Sequence, residues 1–196
     1  MLEPLKPLYN KTLRPFALFL ARFGVHPNHI TISGLLFFIV SAWFVNRGNW
    51  RTAFVLVIAG SLFDGLDGVL ARETGKKSVF GGILDSCCDR LTEIFLFAGL
   101  FLYYLKNPVI NYTEIILCFT GVSGSLMVSY VKARCEGSGV VCSRGLLQRP
   151  ERLILLMAGL LTGQTVMFWI LLIISVLSVF TVIQRILEAA LRSRKV

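Results

Sequence analysis

Two stretches of this chain, 30–45 and 166–183, run without a charged side chain, and 115–131 is nearly as apolar. At ~1.5 Å per residue, such stretches approach the ~30 Å thickness of a bilayer's hydrocarbon core. Hydrocarbon offers no water to an unpaired peptide group, so these stretches are driven into helices whose backbone bonds close within each segment. Three more segments, about 53–71, 80–105 and 150–162, qualify as spans once their charged ends are set at an interface. Six spans, near 30–45, 53–71, 80–105, 113–133, 150–162 and 166–187, use up most of the 196 residues and leave no soluble domain. Composition agrees: 55% hydrophobic residues, 16% charged ones and a mean hydropathy of +0.72 are too apolar for a water-facing surface. The expected fold class is an all-α integral membrane protein, a single domain over 1–196.

A net charge of +9 raises nucleic acid as a partner, but the positions of the charges point to membrane topology instead. With the N-terminus cytoplasmic, that face receives all but three of the 20 Lys and Arg, in groups running from Lys6 to Arg22, Arg72 to Arg90, Lys132 to Arg152 and Arg185 to Lys195. Only Arg47, Arg51 and Lys106 fall on the other side. This asymmetry puts both termini in the cytoplasm of a multi-pass cell-membrane protein. Trp50, Tyr103, Tyr104, Tyr112 and Trp169 then fall near the outer boundary, as an aromatic belt would.

Residues 1–24 interleave Leu5, Leu8, Leu13, Phe16, Phe19, Leu20 and Phe23 with four bases, the pattern of an amphipathic helix lying among lipid headgroups. Prolines at 4, 7 and 15 interrupt any signal-peptide pattern there. Asn28 is expected to cap the first span, His26 and His29 to sit at the interface, and Pro150 to open the fifth span. Turns are expected at 46–49, 73–78, 106–108 and 161–165. The cysteines at 87, 88, 118, 135 and 142 form no metal-ligand spacing and read as reduced, buried and structurally passive.

All four aspartates of the chain lie between positions 64 and 89, inside segments otherwise apolar enough to span. Acids within a membrane mark a functional site by default. Asp64 and Asp67 are three apart, Asp85 and Asp89 four apart, so each pair shares one helix face. Two antiparallel helices joined by the short turn after Glu73 would bring the faces together around one volume, suited to Mg2+ or Mn2+. Counting helical rise from each outer end places the acids in the cytoplasmic half, within reach of a soluble substrate. Gly65, Gly68 and Ala71, with Gly81 and Gly82 on the next span, remove bulk beside the acids so that a ligand can approach the backbone.

The pattern D-x2-D-G-x2-A-R-x8-G-x3-D-x3-D is matched at every fixed position from Asp64 to Asp89, and with P-N-x-I-T at 27–31 it resembles the CDP-alcohol phosphatidyltransferases. That resemblance implies six-span enzymes that transfer the phosphatidyl group of CDP-diacylglycerol, or an ether-lipid analogue, to an alcohol and release CMP. It implies two metal ions held by Asp64, Asp67, Asp85 and Asp89, with Asp89 also the general base. Asn28, Thr31, Gly68, Ala71, Arg72 and Gly81 would receive the CDP moiety, and a homodimer is implied as well.

The acceptor is read from the bases. Lys132, Arg134, Arg149, Arg152 and Arg192 recur on the cytoplasmic side and suit an alcohol that itself bears phosphate. The stretches S-Y-V-K-A-R-C-E (129–136) and Q-R-P-E-R-L-I (148–154) resemble prokaryotic phosphatidylinositol-phosphate synthases, which implies inositol 1-phosphate. Glycerol 3-phosphate is the runner-up within the family. A divalent-cation transporter is the alternative of a different class; the shallow depth of the acids and their Gly-x2-Ala-Arg context speak against it.

Overall fold

The computed structural model describes residues 6–106, 112–140, 142 and 145–193, with side chains from Tyr9 onward. Leu5, the side chain of Leu8, Asn107, Pro108, Arg144, Arg194 and Lys195, all used in the sequence reading, lie outside the described residues. The described residues form seven helices and no strand: α1 (Lys6–Arg22), α2 (Pro27–Asn46), α3 (Trp50–Glu73), α4 (Val79–Leu105), α5 (Tyr112–Gly137), α6 (Arg149–Thr162) and α7 (Gln164–Ser193). Four of them, α2, α3, α5 and α7, are long and apolar enough to cross a membrane. Helix α4 is long enough but carries Asp85, Asp89, Arg90 and Glu93, and α6 has only 14 residues, about 21 Å of helix.

The cap of α2 falls two residues earlier than expected. His26, not Asn28, is the capping residue, and its Nδ1 accepts from the Asn28 backbone N–H at 3.3 Å. The reason is Pro27, whose fixed φ and missing N–H suit the first helical position and move the cap back to His26. Asn28 is thereby left inside the helix with its side chain free for another task. The aromatic belt is also revised. Tyr112 and Trp169 are exposed, whereas Trp50 and Tyr104 are buried within protein.

The chain divides into two compact units that meet within α4, one reaching Leu96 and one beginning at Phe97. In the first, α2 and α3 are joined by the turn at Arg47–Asn49, where Gly48 takes a φ of 80°. Small residues let the two backbones approach, since lipid-like surroundings give no hydrophobic drive for helix association. A Cβ on Gly60 would fall 2.7 Å from the Phe38 ring and 3.2 Å from the Gly34 carbonyl oxygen. Ser41 Oγ adds a hydrogen bond to the Ala53 carbonyl at 3.0 Å.

In the second unit α5 packs on α7 in the same manner. A Cβ on Gly124 would fall 2.7 Å from Ser178 Cβ, and Ser175 Oγ donates to the Leu117 carbonyl at 3.1 Å. Gly163, at a φ of 106°, is the single residue between α6 and α7. All five cysteines are free thiols; four are buried as expected, but Cys87 is exposed. Burial and the neighbouring Cys135 push the Cys142 thiol up to about 11, which keeps it protonated and unreactive near neutral pH.

The close α2–α3 contact has a measurable consequence. Gly60→Ala should lower the thermal midpoint in detergent, at a cost of about 1–3 kcal/mol for overpacking. Gly82→Ala, where an added Cβ meets nothing within 4 Å, should leave the midpoint unchanged or slightly raised.

Candidate active site

Helices α3 and α4 are joined by residues 74–78. Gly75 takes a φ of 66° at the bend, and Ser78 Oγ accepts from the Gly81 N–H at 2.9 Å, starting α4. Across this short link, acidic side chains of α3 and α4 meet. Asp64, Asp85 and Asp89, each half-buried, offer carboxylate oxygens that all lie within 4.8 Å of one another.

Asp67 stands apart from this trio. Its carboxylate accepts from Thr31 Oγ1 on α2, and the side chain is buried. The helix repeat explains the split: residues three apart are rotated by about 60° from one another, so Asp64 faces α4 while Asp67 turns toward α2. Asp67 nevertheless lines one cavity with Asp85, so the fourth acid stays beside the trio while Thr31 holds its carboxylate.

Three carboxylates this close repel strongly in apolar surroundings, and a cation is the natural relief. The trio offers oxygen alone, which suits hard divalent ions such as Mg2+ or Mn2+ over softer metals. Cys87 and Cys88, between two of the acids in sequence, do not join the group. Arg90 Nη1 approaches Asp89 Oδ2 only to 4.0 Å.

Beside the trio lies a cavity of about 280 Å3. Its wall includes Asn28 and Thr31 from α2, Asp67, Gly68, Ala71 and Arg72 from α3, and Gly81, Gly82 and Asp85 from α4. Every residue assigned from the sequence to the CDP moiety therefore lies on this one wall. Asp85 belongs to both the cavity and the acid trio. Two glycines keep the space open: a Cβ on Gly81 would stand 3.0 Å from Ser78 Oγ and 3.3 Å from Asn28 Oδ1, and one on Gly68 would stand 3.4 Å from Arg72 Nη1. Asn28, displaced from the capping role, presents its amide here.

Lys76, Lys77 and Ser78 also line the cavity and were missed from the sequence. The lysines had been counted only as topology charges, although two adjacent bases in a turn flanked by Arg72 and Gly81 were a readable sign. Helix α1 packs behind α3. Tyr9 Oη donates to the Ser61 carbonyl at 3.2 Å, and a Cβ on Gly65 would collide with the Tyr9 ring. Burial, and then the negative charges of Asp64 and Asp67, push the Tyr9 phenol above its ordinary range.

The bases assigned to an acceptor phosphate all belong to the second unit. Lys132 and Arg134 are exposed on α5, where Lys132 Nζ lies 3.8 Å from Glu136. Arg149 is half-buried, and Arg152, 1% exposed, donates to the Leu147 carbonyl at 3.1 Å. Arg192 pairs with the buried Glu188 at 2.8 Å. Arg185, overlooked before, is buried within electrostatic range of Arg152 and donates to the Val128 carbonyl at 2.5 Å. Its position inside the expected span 166–187 was the available signal, because a charge within a span is rarely idle.

Comparison with known proteins agrees with this geometry. The sequence profile of the CDP-alcohol phosphatidyltransferases matches residues 24–185. The chain belongs to that family, and so to the phosphatidyltransferase enzymes. It is 34% identical to an archaetidylinositol phosphate synthase of Pyrococcus horikoshii, over 98% of each chain. Among solved structures it is similar to the phosphatidylinositol phosphate synthase of Mycobacterium tuberculosis with CDP-DAG bound, at a TM-score of 0.85 and 30% identity, covering 91% of this chain and 94% of that one. The same mycobacterial protein in complex with manganese and citrate gives a TM-score of 0.83 at 30% identity, covering 90% of this chain and 88% of that one.

An ion that binds the native trio stabilises the fold by mass action. Mn2+ should therefore raise the thermal midpoint of the purified protein. Asp85→Asn should reduce that shift and weaken Mn2+ binding by at least about tenfold, read by the spin-resonance signal of free Mn2+.

Proposed function

We propose that this enzyme transfers the phosphatidyl group of CDP-diacylglycerol, or of its ether-linked counterpart, to inositol 1-phosphate, releasing CMP and forming phosphatidylinositol phosphate. The observation that carries the reading is Asp85, shared between an all-oxygen acid trio and a cavity walled by the signature residues. The names of the relatives support the choice of inositol phosphate.

In this reading Asp64, Asp67, Asp85 and Asp89 hold two Mg2+ or Mn2+ ions, and Asn28, Thr31, Gly68, Ala71, Arg72 and Gly81 receive the CDP moiety. The ions, when bound, withdraw charge from the pyrophosphate and ease the departure of CMP. Asp67 is kept oriented by Thr31, and Arg72 meets phosphate charge from the cavity side. Asp89 takes the proton from the acceptor hydroxyl. The acceptor oxygen forms a bond to the lipid-side phosphorus as the bridging bond to CMP breaks, and the proton stays on Asp89 until water removes it.

Lys132, Arg134, Arg149, Arg152 and Arg192 hold the acceptor's phosphate, with Arg185 reinforcing Arg152. Guanidiniums suit the planar, bidentate recognition of a phosphate. In the membrane, α4 and α6 complete six spans, α1 lies in the headgroup region, both termini and the site face the cytoplasm, and the protein works as a homodimer.

The test is an acceptor panel with CDP-diacylglycerol and Mg2+ or Mn2+, scored by CMP release. Inositol 1-phosphate should be the preferred acceptor. Equal release with glycerol 3-phosphate and poor release with inositol 1-phosphate would move the assignment to phosphatidylglycerol phosphate synthesis. Asp89→Asn should cut CMP release at least about a hundredfold while donor binding persists, as loss of a general base requires.

A further inference from the structure

Arg72 lines the cavity, and its guanidinium is held on both sides. Nη1 lies over Gly68, 3.4 Å from where a Cβ would stand. Nη2 donates to Asn10 Oδ1 at 3.0 Å. Arg72 is otherwise exposed, and an exposed arginine samples many rotamers whose selection costs entropy on binding. Asn10 belongs to α1, none of whose described side chains lines the cavity.

We infer that Asn10 is a positioning residue for Arg72, setting the enzyme's affinity for its nucleotide-bearing donor from outside the cavity. The inference rests on the reading of that cavity as the donor site. The placement of Asn10 is firm because α1 is docked along α3 at successive turns. Tyr9 bonds Ser61 and covers Gly65, and Arg14 Nε pairs with Glu73 Oε1 at 3.1 Å. Between them, Leu13 and Ala17 are buried in a cluster with Leu66, Val69 and Leu70. The chemistry of the contact fits the task. A primary amide accepts one guanidinium N–H without bringing a negative charge, so it orients Arg72 and leaves the full positive charge for an anionic ligand. The opposite end of α1 exposes Phe16 and Phe19, with Phe23 exposed just beyond it, so the helix that aims Arg72 is also one with an apolar surface to set against lipid.

The test is a double-substitution cycle in the full-length protein, using Asn10→Ala, Arg72→Ala and the pair. KM for CDP-diacylglycerol, KM for the acceptor and competition by CMP are measured for each. Asn10→Ala should raise donor KM and weaken CMP competition by about three- to tenfold, the range of one hydrogen bond, with acceptor KM held within about twofold. In the Arg72→Ala background it should add nothing further. If Arg72→Ala weakens the donor while Asn10→Ala does not, or if the two effects simply add, the inference is overturned and the donor-site reading stands. A rise in both KM values with a lowered thermal midpoint marks a loosened α1 and overturns it equally. If Arg72→Ala itself leaves donor KM and CMP competition unchanged, the donor-site reading fails along with the inference.

Discussion

Carboxylates in apolar surroundings are the constraint on which the rest of this structure depends. An acid there needs hydrogen bonds, a cation or a proton, and the chain supplies the first at Asp67 and prepares for the second at the trio of Asp64, Asp85 and Asp89. Both arrangements need α3 to lie close to two neighbours at once. The glycines of α2 and α3 bring Thr31 within reach of Asp67, and the short 74–78 link brings Asp85 and Asp89 beside Asp64. Packing and chemistry are thus set by the same small residues, used at different heights of one helix. Gly60 closes a gap against Phe38, whereas Gly68 keeps one open beneath Arg72.

Much of this was legible before any coordinates. Aspartate spacing and the fixed glycines, Ala71 and Arg72 defined which residues would meet, because helical periodicity turns a sequence interval into a direction. The same periodicity, applied strictly, separates Asp64 from Asp67 by about 60°. A three-residue interval is therefore one face only to within that angle, and the position of α2 adds Thr31 as a partner of Asp67. The capping of α2 shows a similar limit. Both His26 and Asn28 are plausible caps in isolation, and the proline between them selects His26 by its backbone geometry.

Other features were hidden for a different reason. The positive-inside pattern absorbs every base on the face read as cytoplasmic, so Lys76, Lys77 and Arg185 looked sufficiently explained by topology. Topology accounts for the sign of a charge and says nothing about its burial. Arg152 and Arg185 are buried, Lys132 and Arg134 are exposed, and the sequence pattern is the same for all four. Asn10 was less accessible still. Nothing local distinguishes it from the polar face of any amphipathic helix, and its role depends on a partner 62 positions away.

That long-range contact bears on why an interfacial helix should be joined to a membrane enzyme at all. The donor is a lipid carrying a nucleotide, so its binding site must read a soluble headgroup while the acyl chains stay in the bilayer. Side chains anchored near the headgroups give such a site a reference to the membrane plane. Helix α1 can provide one, because its docking on α3 ties Arg72 to an element with its own apolar surface. On the reading proposed above, the acids then set the chemistry, and α1 holds Arg72 where it meets phosphate.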